Sequence, residues 1–133
     1  MLILVKHLKL INKSMKDILK INKTIKPFNK KIQMEGDKSL SIRWALIASQ
    51  ANGKSTSYNL LKSEDVISTL NCLKKLGVKV KNFKNRCEIL GLGLNGFKYK
   101  KNLTLDCGNS GTLSRLILGL LVHSKSRVKI IGD

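Results

Sequence analysis

Two short segments carry the residue types and spacing that suit an anion. In Gly36-Asp37-Lys38-Ser39-Leu40-Ser41-Ile42-Arg43, a lysine stands just before an expected helix and Ser39 is its expected N-cap. Ser39 and Arg43 are four apart and share one helix face. Two cations, a hydroxyl and the unpaired N–H groups of a helix start thus converge, which is chemistry for a phosphate or carboxylate. In Gly108-Asn109-Ser110-Gly111-Thr112, two glycines let a ligand come close to the backbone, and a helix N-terminus follows. Each has a plainer reading: an ordinary N-cap followed by solvated charges, and a tight strand-to-helix turn. Spacing alone does not separate the alternatives.

Two other motifs fail on context. Gly53-Lys54-Ser55-Thr56 resembles the end of a phosphate-binding P-loop, but Ala48 stands where that loop needs glycine, and a helix precedes it instead of a strand. Gly91-Leu92-Gly93-Leu94-Asn95-Gly96 spells a dinucleotide-binding fingerprint, yet Phe97-Lys98-Tyr99-Lys100 follows where a helix is required. A loop or hairpin connection is expected there. His7 and His123 have no ligand partners at metal spacing, so both are read as surface histidines and no metal is expected. No Ser-His-Asp constellation is present.

The elements that would position these segments follow an α/β pattern. Ile18–Ile25 reads either as a short strand or as part of a basic amphipathic helix, and Pro27 ends it. Lys31–Met34 alternates and reads as a strand. A helix is expected over about Leu40–Gln50, with Trp44 packing in the core, then a β-prone run over Ser55–Leu61. Ser63 caps a second helix, Glu64 and Asp65 lie in its first turn, and Gly77 ends it. Strands are expected at Val78–Phe83, Cys87–Leu90, Leu103–Cys107 and Ser126–Ile131. Leu113, Leu116, Ile117, Leu120 and Leu121 mark an amphipathic helix between the last two.

Composition sets the class. The chain has 133 residues, 42% of them hydrophobic, with a formal net charge of +18. The charge invites a nucleic-acid reading, but lysine supplies 22 of the 26 cations. Asn and Ile are also abundant, the mark of an AT-rich coding bias that loads solvated faces with lysine. The basic segment 1–31 offers only Phe28 for base stacking. Cys72, Cys87 and Cys107 are odd in number and lack CxxC spacing, so each is expected as a small buried residue in a reducing cytoplasm. No secretory signal or membrane-spanning run is apparent in the sequence.

The sequence resembles the EPSP synthase (3-phosphoshikimate 1-carboxyvinyltransferase) family at Gly36-Asp37-Lys38-Ser39 with Ser41 and Arg43. The resemblance continues at Asn59-Leu60-Leu61, Ser63-Glu64-Asp65, Leu76-Gly77-Val78, and Asp106-Cys107-Gly108-Asn109-Ser110-Gly111-Thr112 with Arg115. It implies an incomplete α/β fold: a βαβαββ-type unit of the enolpyruvyl transferase (inside-out α/β barrel) fold. Residues 1–30 would form a basic N-terminal segment whose strand belongs to the second domain. Residues 31–133 would form the first unit plus the start of the second. The family transfers the enolpyruvyl group of phosphoenolpyruvate to the 5-hydroxyl of shikimate 3-phosphate and releases phosphate. By motif, Lys38, Ser39 and Arg43 would hold shikimate 3-phosphate. Lys38, the implied catalytic residue, would also reach phosphoenolpyruvate, with Gly111 against it and Asn109 and Thr112 shaping the loop. Glu35, Ile42 and Leu116 depart from the family's usual residues.

The resemblance implies a cytoplasmic enzyme without cofactor or metal, acting on small anions, not on nucleic acid or membranes, and a monomer at full length. This chain looks like an N-terminal portion and is expected to be inactive alone. Two alternatives are a UDP-N-acetylglucosamine enolpyruvyl transferase relative, disfavoured by Ser39 after Lys38, and a small basic nucleic-acid-binding module.

Overall fold

The computed structural model describes residues 27, 29–32 and 34–133. The chain divides into two units, Met1–Ile32 and Gln33–Asp133. In the first, Pro27 and residues 29–32 are exposed and carry no regular secondary structure. The strand or helix expected over Ile18–Ile25, and His7, lie outside the described residues.

The second unit runs α1 (Lys38–Gln50), β1 (Asn52–Tyr58), α2 (Glu64–Lys75), β2 (Lys79–Asn82), β3 (Arg86–Leu92), β4 (Leu103–Asp106), α3 (Gly111–Leu120) and β5 (Val128–Ile131). β1 and β2 both pair antiparallel with β3, giving the order β1-β3-β2. β4 and β5 pair in parallel, Leu105 opposite Ile130, with α3 as the crossover. The expected strand at Lys31–Met34 does not form: residues 31, 32 and 34 belong to no ladder. Alternation cannot make a strand without a partner edge, and the Met34 carbonyl is taken instead by Asn59 Nδ2 at 3.2 Å.

One core joins the helices to the sheets. α1 contributes Ile42, Ala45, Leu46 and Ala48, α2 contributes Val66, Leu70, Cys72 and Leu73, and α3 contributes Leu113 and Ile117. Trp44 packs against this core while half-buried. Ile42 is fully buried and so takes no part in surface chemistry. The apolar face of α3 is narrower than its periodicity suggests. Leu116 is exposed, while Leu113 and Ile117 are fully buried and Leu120 packs against the core half-buried. The small residues of α1 let its C-terminal end lie on β3: a Cβ on Gly91 would stand 2.2 Å from the Ala51 carbonyl oxygen. The Gly93 N–H donates to that same oxygen at 3.1 Å. Close packing therefore accounts for two glycines of the false dinucleotide fingerprint, and a loop follows them. The false P-loop is extended backbone within β1.

α2 ends as expected. Gly77, at φ 90°, donates its N–H to Lys74 O, and the Val78 N–H reaches back to Leu73 O, a Schellman closure. All described lysines are exposed. None of the described helices is long and apolar enough to cross a membrane.

Candidate functional site

The turn into α1 starts two residues earlier than the sequence suggests. Asp37, not Ser39, is the N-cap: its carboxylate accepts from the Leu40 N–H at 2.7 Å. Lys38 and Ser39 are therefore in the first turn, Lys38 as its first residue. Asp37 precedes Ser39, and its carboxylate is charged, so it takes the cap. Behind it, Ser41 Oγ donates to the Asp37 carbonyl at 2.7 Å and accepts from the Leu61 N–H at 3.1 Å. This buried hydroxyl ties the turn to the loop after β1. Gly36 lies against the same loop, where a Cβ would stand 2.1 Å from the Asn59 carbonyl oxygen. Asn59 itself has φ 56°, which bends the chain sharply out of β1.

The loop into α3 is also shorter than expected. Ser110 is the N-cap, its Oγ accepting from the Leu113 N–H at 3.3 Å, so Gly111 and Thr112 already lie in the helix. Asp106 steadies the loop by accepting from the Gly108 N–H at 2.9 Å. Gly111 is exposed, and a Cβ there would meet nothing nearer than Arg115 Nη2 at 4.0 Å.

α2 links the two segments. Lys38 Nζ pairs with Asp65 Oδ2 in the first turn of α2 at 3.1 Å, with side chains 52% and 14% exposed. One turn on, Ser68 Oγ lies 3.4 Å from the position a Cβ would take on Gly108. The three helix starts differ in charge. α2 has Glu64 and Asp65 in its first turn, so its positive end already has anions. Ser63 occupies its N-cap position without a side-chain cap bond, and the buried Oγ has no partner among the described residues. α3 has no acid in its first turn or at its cap, and α1 has none in its first turn, although the Asp37 carboxylate caps it. These are the two helix starts that the sequence marks as anion sites.

Lys38, Arg43, Asn109 and Gly111 are exposed, and Ser39 and Thr112 are half-buried. None of them lines the hollow of about 570 Å³ that opens beside Glu35, Asn59, Lys62, Phe83 and Arg86. The candidate residues thus occupy open helix ends. Glu35, an unhelpful charge next to an anion, is exposed and faces this separate hollow. Asp65, Ser41 and Ser68 are contributions the sequence reading missed. For Asp65 the Ser-Glu-Asp helix start was visible, but its pairing across to Lys38 was not. His123 is exposed, and no group of three or more metal-ligating side chains occurs among the described residues.

Comparison with known proteins gives a consistent result. The profile of EPSP synthase (3-phosphoshikimate 1-carboxyvinyltransferase) matches residues 22–133. A 3-phosphoshikimate 1-carboxyvinyltransferase of Syntrophomonas wolfei is 40% identical over 102 residues, covering 77% of this chain and 24% of the relative. One of Bacillus cytotoxicus is 43% identical over 108 residues, 81% and 25% of the two chains. The structure of EPSP synthase from Acinetobacter baumannii superposes with a TM-score of 0.69 at 33% identity, over 78% of this chain and 24% of that one. The mixed α/β architecture therefore corresponds to part of the inside-out α/β barrel fold. The chain spans about a quarter of the length of these relatives, and it belongs to the EPSP synthase family.

Proposed function

We propose that this chain supplies one wall of an anion cleft in an EPSP synthase. The reaction would pass the enolpyruvyl group of phosphoenolpyruvate to the 5-hydroxyl of shikimate 3-phosphate, with release of phosphate. The observation that carries this reading is the pair of helix starts, α1 and α3, whose first turns contain no acid, with Lys38 of α1 held by Asp65 of α2. Lys38, Ser39 and Arg43 hold shikimate 3-phosphate. Lys38 also reaches phosphoenolpyruvate and is the catalytic residue of this segment. Gly111 leaves the space that phosphoenolpyruvate fills, and Asn109 and Thr112 shape its loop. A half-exposed ion pair is worth ~0–1 kcal/mol, so a doubly charged phosphate can draw Lys38 from Asp65. Fixed cations and helix dipoles then orient two polyanions and surround the charge that develops between them. The reading places the protein in the cytoplasm, with residues 1–30 as a basic N-terminal segment whose strand belongs to the second domain. It also makes the full-length enzyme a monomer.

Calorimetric titration with shikimate 3-phosphate tests it. The chain should bind, and Lys38→Ala and Arg43→Ala should each weaken binding roughly tenfold or more, the loss of one charge-assisted contact. Equal affinity in all three proteins would sink the assignment. The chain alone should release no phosphate from the two substrates, and measurable turnover would refute its role as one wall only.

A further inference from the structure

A second hollow, of about 420 Å³, opens at the end of α3 away from Gly111. The helix has ten residues, so about 15 Å separates its two ends. Two loops line the hollow: Asn95–Tyr99, which follows β3, and Leu121–Ser126, which joins α3 to β5. We propose that this hollow is a binding site for a nucleoside monophosphate, separate from the starts of α1 and α3 and independent of the transferase reading.

Both loops are fixed by backbone contacts. In the first, the Gly96 N–H donates to the Gly93 carbonyl at 3.2 Å, and Asn95 sits third in this β-turn with φ 59°. The Lys98 N–H then donates to the Leu76 carbonyl at 3.0 Å. Gly77 permits this approach, since a Cβ there would stand 2.5 Å from the Lys98 carbonyl oxygen. In the second loop, the Ser124 N–H donates to the Leu121 carbonyl at 2.9 Å, and its Oγ donates to the Ser126 carbonyl at 3.2 Å. Loops already held in place lose little freedom when a ligand enters.

The lining combines an apolar floor with a cationic rim. Phe97, Tyr99, Leu120 and Leu121 are half-buried, pack against the core and line the hollow. Lys98 and Lys125, one on each loop, are exposed, and His123 lines the same space. Among the described residues no acid lines the hollow, and the sequence has none from Ile89 to Leu105 or from Cys107 to Gly132. A ligand that satisfies both parts needs an aromatic ring and an anionic group. A base alone would leave the cations without a partner, and a phosphate alone would leave the apolar floor in water. In the proposed complex the base stacks on the aromatic floor, the two lysines take the phosphate, and Asn95 and Ser126 supply hydrogen bonds to the sugar. The volume suits a ligand of this size. The negative end of α3 also lies here, which directs the phosphate to the lysine rim and away from the helix. The Gly91–Gly96 motif thus helps to shape a nucleotide site, but not as a dinucleotide fingerprint does: side chains, not a helix N-terminus, hold the phosphate.

The test is calorimetric titration of the chain with adenosine 5′-monophosphate. Adenosine and inorganic phosphate are the controls, because each carries one half of the ligand. The nucleotide should bind with a Kd below about 1 mM and roughly tenfold or more tighter than either control. Lys98→Ala and Lys125→Ala should each weaken it about fivefold, the loss of one exposed charge contact. Lys38→Ala should leave nucleotide binding unchanged, and shikimate 3-phosphate should not compete. These two arms separate the hollow from the start of α1, so the nucleotide result stands whether or not the transferase reading holds. No binding at millimolar nucleotide, equal affinity for the nucleotide and either control, or full affinity in both hollow variants would overturn the proposal. So would a loss in Lys38→Ala, competition by shikimate 3-phosphate, or tighter binding of a short oligoadenylate, which would mark a surface for nucleic-acid strands instead.

Discussion

At the turn into α1, Gly36 is pressed onto the loop after β1, its missing Cβ only 2.1 Å from the Asn59 oxygen. At the loop into α3, Gly111 faces open space, with the nearest atom 4.0 Å away. The caps differ as well. Asp37 is exposed and charged, while Ser110 is neutral and 2% exposed. Two segments that look alike as glycine-led helix starts are therefore held in different ways. The first is clamped by packing, and its cations project from a fixed turn. The second is fixed through a buried hydroxyl, and its glycine at 111 serves no packing need within the described residues. On the proposed reading, the room left at Gly111 is what phosphoenolpyruvate fills.

The sharpest way to break this comparison is Gly36→Ala. The added methyl meets backbone, which must shift, so urea denaturation should show a loss of about 3 kcal/mol. A loss under about 1 kcal/mol would mean the turn is not clamped. Next come the caps. Ser110→Ala leaves the Leu113 N–H buried without its acceptor and should cost about 2 kcal/mol. Asp37→Ala exposes the Leu40 N–H to water and should cost about 1 kcal/mol. The reverse order in thermal melts would show that the shorter, charged bond outweighs burial. The smallest stability effect belongs to Gly111→Ala, within about 0.5 kcal/mol of the parent and on the stabilising side, since alanine suits a helix better. A marked loss would show that Gly111 is packed after all and remove the argument for a ligand there.

Much of this was legible from the sequence because it depends on neighbours along the chain. Helix periodicity located α2 and α3, the Gly36–Ser39 turn and the Asn52-Gly53 stop bounded α1, and Gly77 marked the end of α2. The strict alternation of Val78–Phe83 located β2, and the lack of a helix after Gly96 excluded the dinucleotide reading. The two anion-suited segments were visible for the same reason, since a glycine turn before a helix start is a local pattern. The errors arose where a second segment decides. Lys31–Met34 alternates like a strand, but no described strand receives it. Leu116 fits the apolar period of α3 but lies beyond the reach of the core. Ser39 is a good cap type, but Asp37 is placed to reach the helix first.

The lysine excess shows the same division. As a number, +18 suggested a polyanionic partner. In the fold, each described lysine is on the surface, and Lys38 is set apart only by the turn that carries it and the Asp65 across from it. By itself, the sequence determined the α/β class, the presence of three helices and the family, because residue order and spacing carry those directly. Only the tertiary structure decided which glycine is clamped and which is free, which carboxylate holds Lys38, and which carbonyl the Cys72 thiol meets. These depend on distances between residues from about 20 to more than 30 positions apart, which packing sets and spacing along the chain does not encode.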